Sequence, residues 1–97
     1  MPTRPTCLFL PGIIAPAVVR YAALIRELGA TAQAHTKELE VYTLTPPPDD
    51  YAIADEVEGL LRHSRRVGLG RFHLYGHSGG GAVALAFTAA HPESVLA

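Results

Sequence analysis

A G-H-S-G-G segment centred on Ser78 has the residue types and spacing for covalent chemistry. It follows a short apolar run, Arg71 to Tyr75, and precedes a strongly apolar segment, Ala82 to Ala90. A serine on a sharp turn between a strand and a helix presents its hydroxyl as a nucleophile. The flanking Gly76 and Gly80 leave room where a Cβ would clash with the neighbouring strand and helix. The segment therefore predicts Ser78 as the nucleophile and these two glycines as structural residues of the turn.

A nucleophilic serine also needs hydrogen-bond donors for the oxyanion that forms when it attacks a carbonyl. The turn places Ser78 at the start of a helix, where backbone N–H groups and the helix dipole favour negative charge. The amide of Gly79 is the predicted first donor. The second must converge from another side, and the loop from Leu10 to Ile13 follows an earlier predicted strand. We therefore predict the backbone amide of Ile13 as the second donor.

The first element that must position these residues is a strand. Thr6 to Leu10 is an apolar run stopped by Pro11-Gly12, which is typical of a strand buried on both faces. An apolar stripe then runs from Val19 to Leu28 and predicts a helix of about three turns ending at Gly29.

The next strand has two possible placements. Ala32 to Lys37 alternates weakly, whereas Val41 to Leu44 has the higher β-propensity. The sequence leaves both open. Pro46-Pro47-Pro48 ends the strand in either case, because proline disfavours helix at itself and at the preceding residue.

A second helix is predicted after the prolines, capped by Asp49 or Asp50. Its apolar residues recur on one face, at Ile53, Val57, Leu60 and Leu61. Basic residues cluster at its end, where they complement the helix dipole, so a solvated helix end is favoured over a binding patch. Gly68 and Gly70 close this helix.

Strand and helix patterns thus alternate with short connections, which indicates an α/β fold with parallel strands. We predict one domain over residues 1–97, built as part of a three-layer sandwich with strand order second, first, third. β-propensity begins again at Ser94 to Ala97, so we expect the chain to be the N-terminal part of a longer domain.

The composition of the chain argues against several classes of binding partner. The formal charge of −1 gives no basic surface for nucleic acid or an anionic membrane. No apolar run reaches the roughly 18 residues of a membrane span. Cys7 has no second cysteine to pair with, which favours a reduced, cytoplasmic setting. His35 and His63 lack metal-ligand spacing with each other or with Cys7, and neither a metal nor a cofactor is expected.

Together, FLPG, the proline-rich middle segment and RFHLYGHSGGGAVALAFTAAHPESV resemble the α/β-hydrolase fold superfamily over nearly the whole chain. The resemblance implies a serine hydrolase acting on an ester, thioester or amide carbonyl of a small molecule. The family order is Ser, then Asp or Glu, then His, which puts the acid and the histidine beyond Ala97 and makes residues 1–97 inactive alone. Family members usually carry His-Gly where this chain has Pro11-Gly12.

Two other interpretations remain open. The chain could be a non-catalytic remnant or binding module. In either case, the isolated chain is expected to expose an apolar sheet edge that allows self-association. A nucleotide-binding turn would need glycine in place of Ser78 and, for a P-loop, a lysine that is missing here. His77 is predicted to support the turn by packing, and His91 and Glu93 lie at the far end of the helix that the turn begins.

Overall fold

The computed structural model describes residues 4–12, 15–43 and 49–97 and contains a three-stranded parallel sheet. The strands are β1 (Thr6–Leu10), β2 (Gln33–Thr36) and β3 (His73–Gly76). Their order is β2-β1-β3, with β1 in the centre, as the sequence predicts. In the central pairing, Cys7 lies opposite His73 and Leu10 opposite Gly76, so β1 and β3 end together at one edge of the sheet.

The described helices are α1 (Ala17–Arg20), α2 (Ala22–Leu28), α3 (Glu40–Thr43), α4 (Ile53–Arg66) and α5 (Gly79–Ala90). Short 3₁₀ turns lie at Gly29–Thr31 and Pro92–Ser94. The single helix predicted through Val19 is instead two helices, divided at Tyr21, whose ψ of 6° departs from helical geometry. Over the described ranges, no helix has the length and apolar character to cross a bilayer.

The two faces of β1 pack against different helices. Leu8 and Leu10 belong to a core that includes Leu60 of α4 and Phe87 of α5. Phe9, on the opposite face, packs with Ala17 of α1 and with Tyr21 and Ile25. Helices therefore cover both faces of the sheet, and the central strand is buried on both sides, which accounts for its uninterrupted apolar run.

Of the two placements for the second strand, Ala32 to Lys37 is right and Val41 to Leu44 is wrong as far as it is described. Residues 40–43 form α3, and Leu44 lies outside the described residues. The cause is Glu56, whose side chain is only 2% exposed. Its carboxylate accepts hydrogen bonds from the amides of Glu40 at 2.7 Å and Val41 at 3.0 Å. These are first-turn donors of a helix, which would otherwise be unsatisfied.

The predicted cap of α4 also differs. Asp49 and Asp50 lie in an exposed turn, and the N-cap residue is Ala52. Its amide donates to Oδ2 of Asp55 at 2.9 Å, so the acidic residue acts from inside the first turn. The helix ends as predicted, because Gly68 follows it with a φ of 70°.

Residues 94–97 lie beside β3, on the edge away from β1. Phe72, just before β3, bridges Val95 in parallel orientation. The amide of Leu96 donates to the Phe72 carbonyl at 2.9 Å, and the amide of Leu74 donates to the Ala97 carbonyl at 2.8 Å. This segment therefore pairs with β3, as its β-propensity indicates.

Candidate active site

Ser78 occupies a strained turn between β3 and α5. Its φ is 57° and its ψ is −120°, which makes it the only non-glycine residue with positive φ in the described part of the chain. This backbone fits the sharp strand-to-helix turn that the sequence predicts at Ser78. Such a conformation costs on the order of 1–3 kcal/mol and persists only where the surrounding structure enforces it. The serine is exposed, so its hydroxyl is open to a substrate.

Two glycines enforce the turn. A Cβ on Gly76 would overlap the carbonyl of Gly80. A Cβ on Gly80 would overlap the carbonyl of Pro11 and stand only 2.8 Å from that of Leu10. A Cβ cannot fit at either glycine, so the turn packs directly on β3 on one side and on the end of β1 on the other.

The loop after β1 lies against the serine. A Cβ on Gly12 would stand 3.1 Å from Cβ of Ser78 and 3.2 Å from the His77 carbonyl oxygen. The described part of the segment that was predicted to hold the second oxyanion donor thus contacts Ser78 through Gly12. Ile13 lies outside the described residues, and its donor role stays a prediction.

The start of α5 leaves one amide available. Gly80 N donates to the His77 carbonyl at 3.0 Å, and Gly81 N donates to the Ser78 carbonyl at 2.9 Å. The amide of Gly79 finds no acceptor within the described ranges. Because an unused first-turn amide beside the serine can bind a developing negative charge, this geometry suits the predicted donor.

No general base is hydrogen-bonded to Ser78 among the described residues. The Ser78 side chain makes no capping hydrogen bond, and none joins it there to a histidine or a carboxylate. His91 pairs with Glu93 at 3.4 Å and packs on the ring of Phe87. This pair lies beyond the end of α5, a helix of 12 residues, or about 18 Å at 1.5 Å per residue. The pair therefore cannot activate the serine from there.

Two residues that the sequence did not single out hold the ends of the loop between β1 and α1. The buried hydroxyl of Tyr21 donates to the Leu10 carbonyl at 2.5 Å. The carboxylate of Glu38 accepts from the amides of Ala17 at 2.8 Å and Val18 at 3.3 Å. The acceptor of Tyr21 is 11 residues away and the donors of Glu38 are about 20 residues away, so no local pattern signals them.

A separate polar cavity of about 430 Å³ lies between the end of β2 and α4. Lys37, Arg62, His63 and Arg66 line it together with Glu40. Burial lowers the pKa of His63, and the charges of Lys37 and Arg66 lower it further. Lys37 pairs with Glu40 at 3.1 Å. The lysine charge is therefore already compensated within the fold.

No protein-family model matches this chain, and no curated protein matches it in a sequence search. The chemistry of the site therefore has to be inferred from its own geometry.

Proposed function

We propose that the protein is a serine hydrolase of the α/β-hydrolase fold, with Ser78 as the nucleophile. The observation that carries the proposal is the positive φ of Ser78 at the strand-to-helix turn. A solvated loop would relax such strain, whereas here Gly76 and Gly80 are packed so closely that a Cβ on either would clash with backbone. Strain that packing maintains at an exposed hydroxyl is typical of a functional site.

In the proposed reaction, Oγ of Ser78 attacks the carbonyl carbon of a small ester, thioester or amide. A bond forms between Oγ and that carbon, the bond to the leaving group breaks, and water then hydrolyses the acyl-serine. The amides of Gly79 and Ile13 hold the oxyanion in both steps. A histidine takes the serine proton and passes it to the leaving group, and an acid orients that histidine. Because no histidine or carboxylate is hydrogen-bonded to Ser78 among the described residues, we propose that the acid and the histidine lie outside residues 1–97.

The available amide of Gly79 and the approach of Gly12 to Ser78 support this assignment. Both lie where the C-terminal ends of β1 and β3 meet, the edge at which parallel α/β sheets commonly bind ligands. Side chains around the substrate carbonyl would determine which ester, thioester or amide is bound.

The test measures hydrolysis of one p-nitrophenyl ester by two polypeptides, residues 1–97 and the full natural polypeptide, each with and without Ser78→Ala. A serine without a base retains only about 10³ to 10⁴ of rate over water, from oxyanion stabilisation and binding. We therefore expect Ser78→Ala to change turnover by residues 1–97 very little. In the full polypeptide the same change should lower kcat by at least about 10³-fold.

Unchanged turnover in both Ser78→Ala variants would contradict the proposal and would favour a non-catalytic binding module. Strong Ser78-dependent turnover by residues 1–97 would instead place a base within them and contradict the assignment of the histidine.

A further inference from the structure

We propose that Tyr21 is a positioning residue that holds the end of β1, and with it Gly12, against the Ser78 turn. This inference rests on the proposed function. The loop begins where β1 ends, at Leu10, and its first residues pack on the Ser78 turn. Groups at a catalytic site must be held to within about 0.5 Å of their productive geometry, so a contact that fixes this backbone affects the rate of the reaction.

The contact that fixes the loop is the hydrogen bond from the Tyr21 hydroxyl to the Leu10 carbonyl, at 2.5 Å. Tyr21 is 4% exposed, so water does not compete for this carbonyl. Burial raises the pKa of the Tyr21 phenol, and the neighbouring Tyr75 raises it further. The hydroxyl therefore stays protonated, and able to donate, throughout the neutral range.

The same carbonyl also packs against the start of α5. A Cβ on Gly80 would lie only 2.8 Å from the Leu10 oxygen, so the first turn of α5 already packs against it. Leu10 is thus held between Tyr21 and the helix that begins at Ser78. A shift of the Leu10 peptide would move Pro11 and Gly12, and Gly12 packs on Ser78 itself. The hydroxyl of Tyr21 therefore acts on the site through the backbone of Leu10.

The far end of the loop is fixed independently. Glu38 follows β2 and binds the amides of Ala17 and Val18 through its carboxylate. The chain between Leu10 and Ala17 is therefore anchored at both ends by side chains from outside it. Tyr21 controls the end that touches Ser78, and this is why its substitution is the informative one.

The test is Tyr21→Phe in the full natural polypeptide, which removes the hydroxyl and keeps a ring in contact with Phe9 and Tyr75. We expect kcat for a p-nitrophenyl ester to fall about 10-fold, because a small misplacement of the backbone that packs on Ser78 is costly in the transition state. KM should change less than about twofold, since an interaction realised only in the transition state does not contribute to ground-state binding. Tyr75→Phe is the matched control, because it belongs to the same aromatic cluster and makes no hydrogen bond to Leu10.

A second readout does not depend on catalysis. The ¹³C shift of the Leu10 carbonyl and the amide shift of Gly12 should both move in Tyr21→Phe and stay in place in Tyr75→Phe. Moved shifts with a selective loss in kcat support the inference. Unmoved shifts, or moved shifts with unchanged kcat, overturn it. If Ser78→Ala leaves turnover unaffected, the proposed function fails and the effect of Tyr21 on catalysis fails with it, while the shifts still report whether Tyr21 holds the end of β1.

Discussion

Ser78 keeps its strained backbone because Gly76 and Gly80, which have no side chains, let the turn pack closely against its neighbours. Gly80 meets the carbonyls of Leu10 and Pro11, and Gly76 meets Gly80. The spacing of the two glycines around Ser78 was visible in the sequence, because the turn is built from consecutive residues. The contacts of Tyr21 and Glu38 were not visible, since each depends on chain segments that come together only in the fold.

Substitution by alanine should have opposite effects on stability at two neighbouring glycines at the start of α5. Gly80→Ala should lower the free energy of unfolding by about 1–3 kcal/mol or more, because the new methyl group collides with backbone at the end of β1. In Gly81→Ala the methyl group would lie 3.5 Å from the Gly76 oxygen, an ordinary contact. Alanine favours helix over glycine by about 0.8–1.0 kcal/mol, so this variant should be as stable or more stable.

Urea unfolding of both variants measures the difference. Equal losses of stability would show that the turn does not pack on β1 in the way the structure has it.

At the scale of elements, the first and third strands, the parallel order of the sheet and the end of α5 were predictable, because each follows from hydrophobic pattern and breaker residues. The second strand was left with two placements. The helical structure of residues 41–43 was not predictable. Their β-propensity is overridden by Glu56, which satisfies the first amides of α3 from a helix later in the chain. Propensity describes a residue with its sequence neighbours, whereas this carboxylate reaches across the fold.

Glu56→Gln should lower the free energy of unfolding by about 1–3 kcal/mol. The buried carboxylate accepts from the amides of Glu40 and Val41 and also from the hydroxyl of Tyr51. A glutamine amide has one accepting oxygen and a nitrogen that cannot accept, so at least one of these donors loses its partner.

Glu58→Gln is the matched control, because Glu58 is exposed on the same helix and should change stability by less than about 0.5 kcal/mol. Chemical denaturation compares the two. A loss in Glu56→Gln no larger than in Glu58→Gln would contradict the role of Glu56 in holding α3.

At the scale of the whole molecule, the stability of the fold should depend on pH through His63. The folded state lowers the pKa of this imidazole from its usual 6.5, first by burial and then through Lys37 and Arg66. As the pH falls below 6.5, the unfolded chain binds a proton that the folded chain resists, so stability is lost on acidification. Arg66→Gln removes one positive charge and should raise the pKa of His63, as followed by an NMR titration. An unchanged or lower pKa would contradict this electrostatic account.

The outer side of β3 and α5 exposes apolar surface that should drive self-association. Leu85 is 77% exposed beside Leu74 and Tyr75, which line an open cavity of about 470 Å³. We expect sedimentation velocity to show concentration-dependent association, and Leu85→Glu to suppress it. Leu24→Glu, on α2 and 41% exposed, serves as the control and should leave association unchanged. Equal effects of both changes would show that association does not use this surface.

The most direct test of the central claim is covalent labelling with a fluorophosphonate, followed by peptide mass spectrometry of the full natural polypeptide. The reagent phosphonylates an activated serine, and the partly exposed Ser94 is the internal control, whereas Ser64 is buried and its hydroxyl donates to the Leu61 carbonyl. We expect stoichiometric modification at Ser78, none at Ser94 or Ser64, and loss of labelling in Ser78→Ala. Labelling of Ser64 or Ser94 to the same extent, or an unmodified Ser78 in a polypeptide that hydrolyses the ester, would contradict the assignment of Ser78 as the nucleophile.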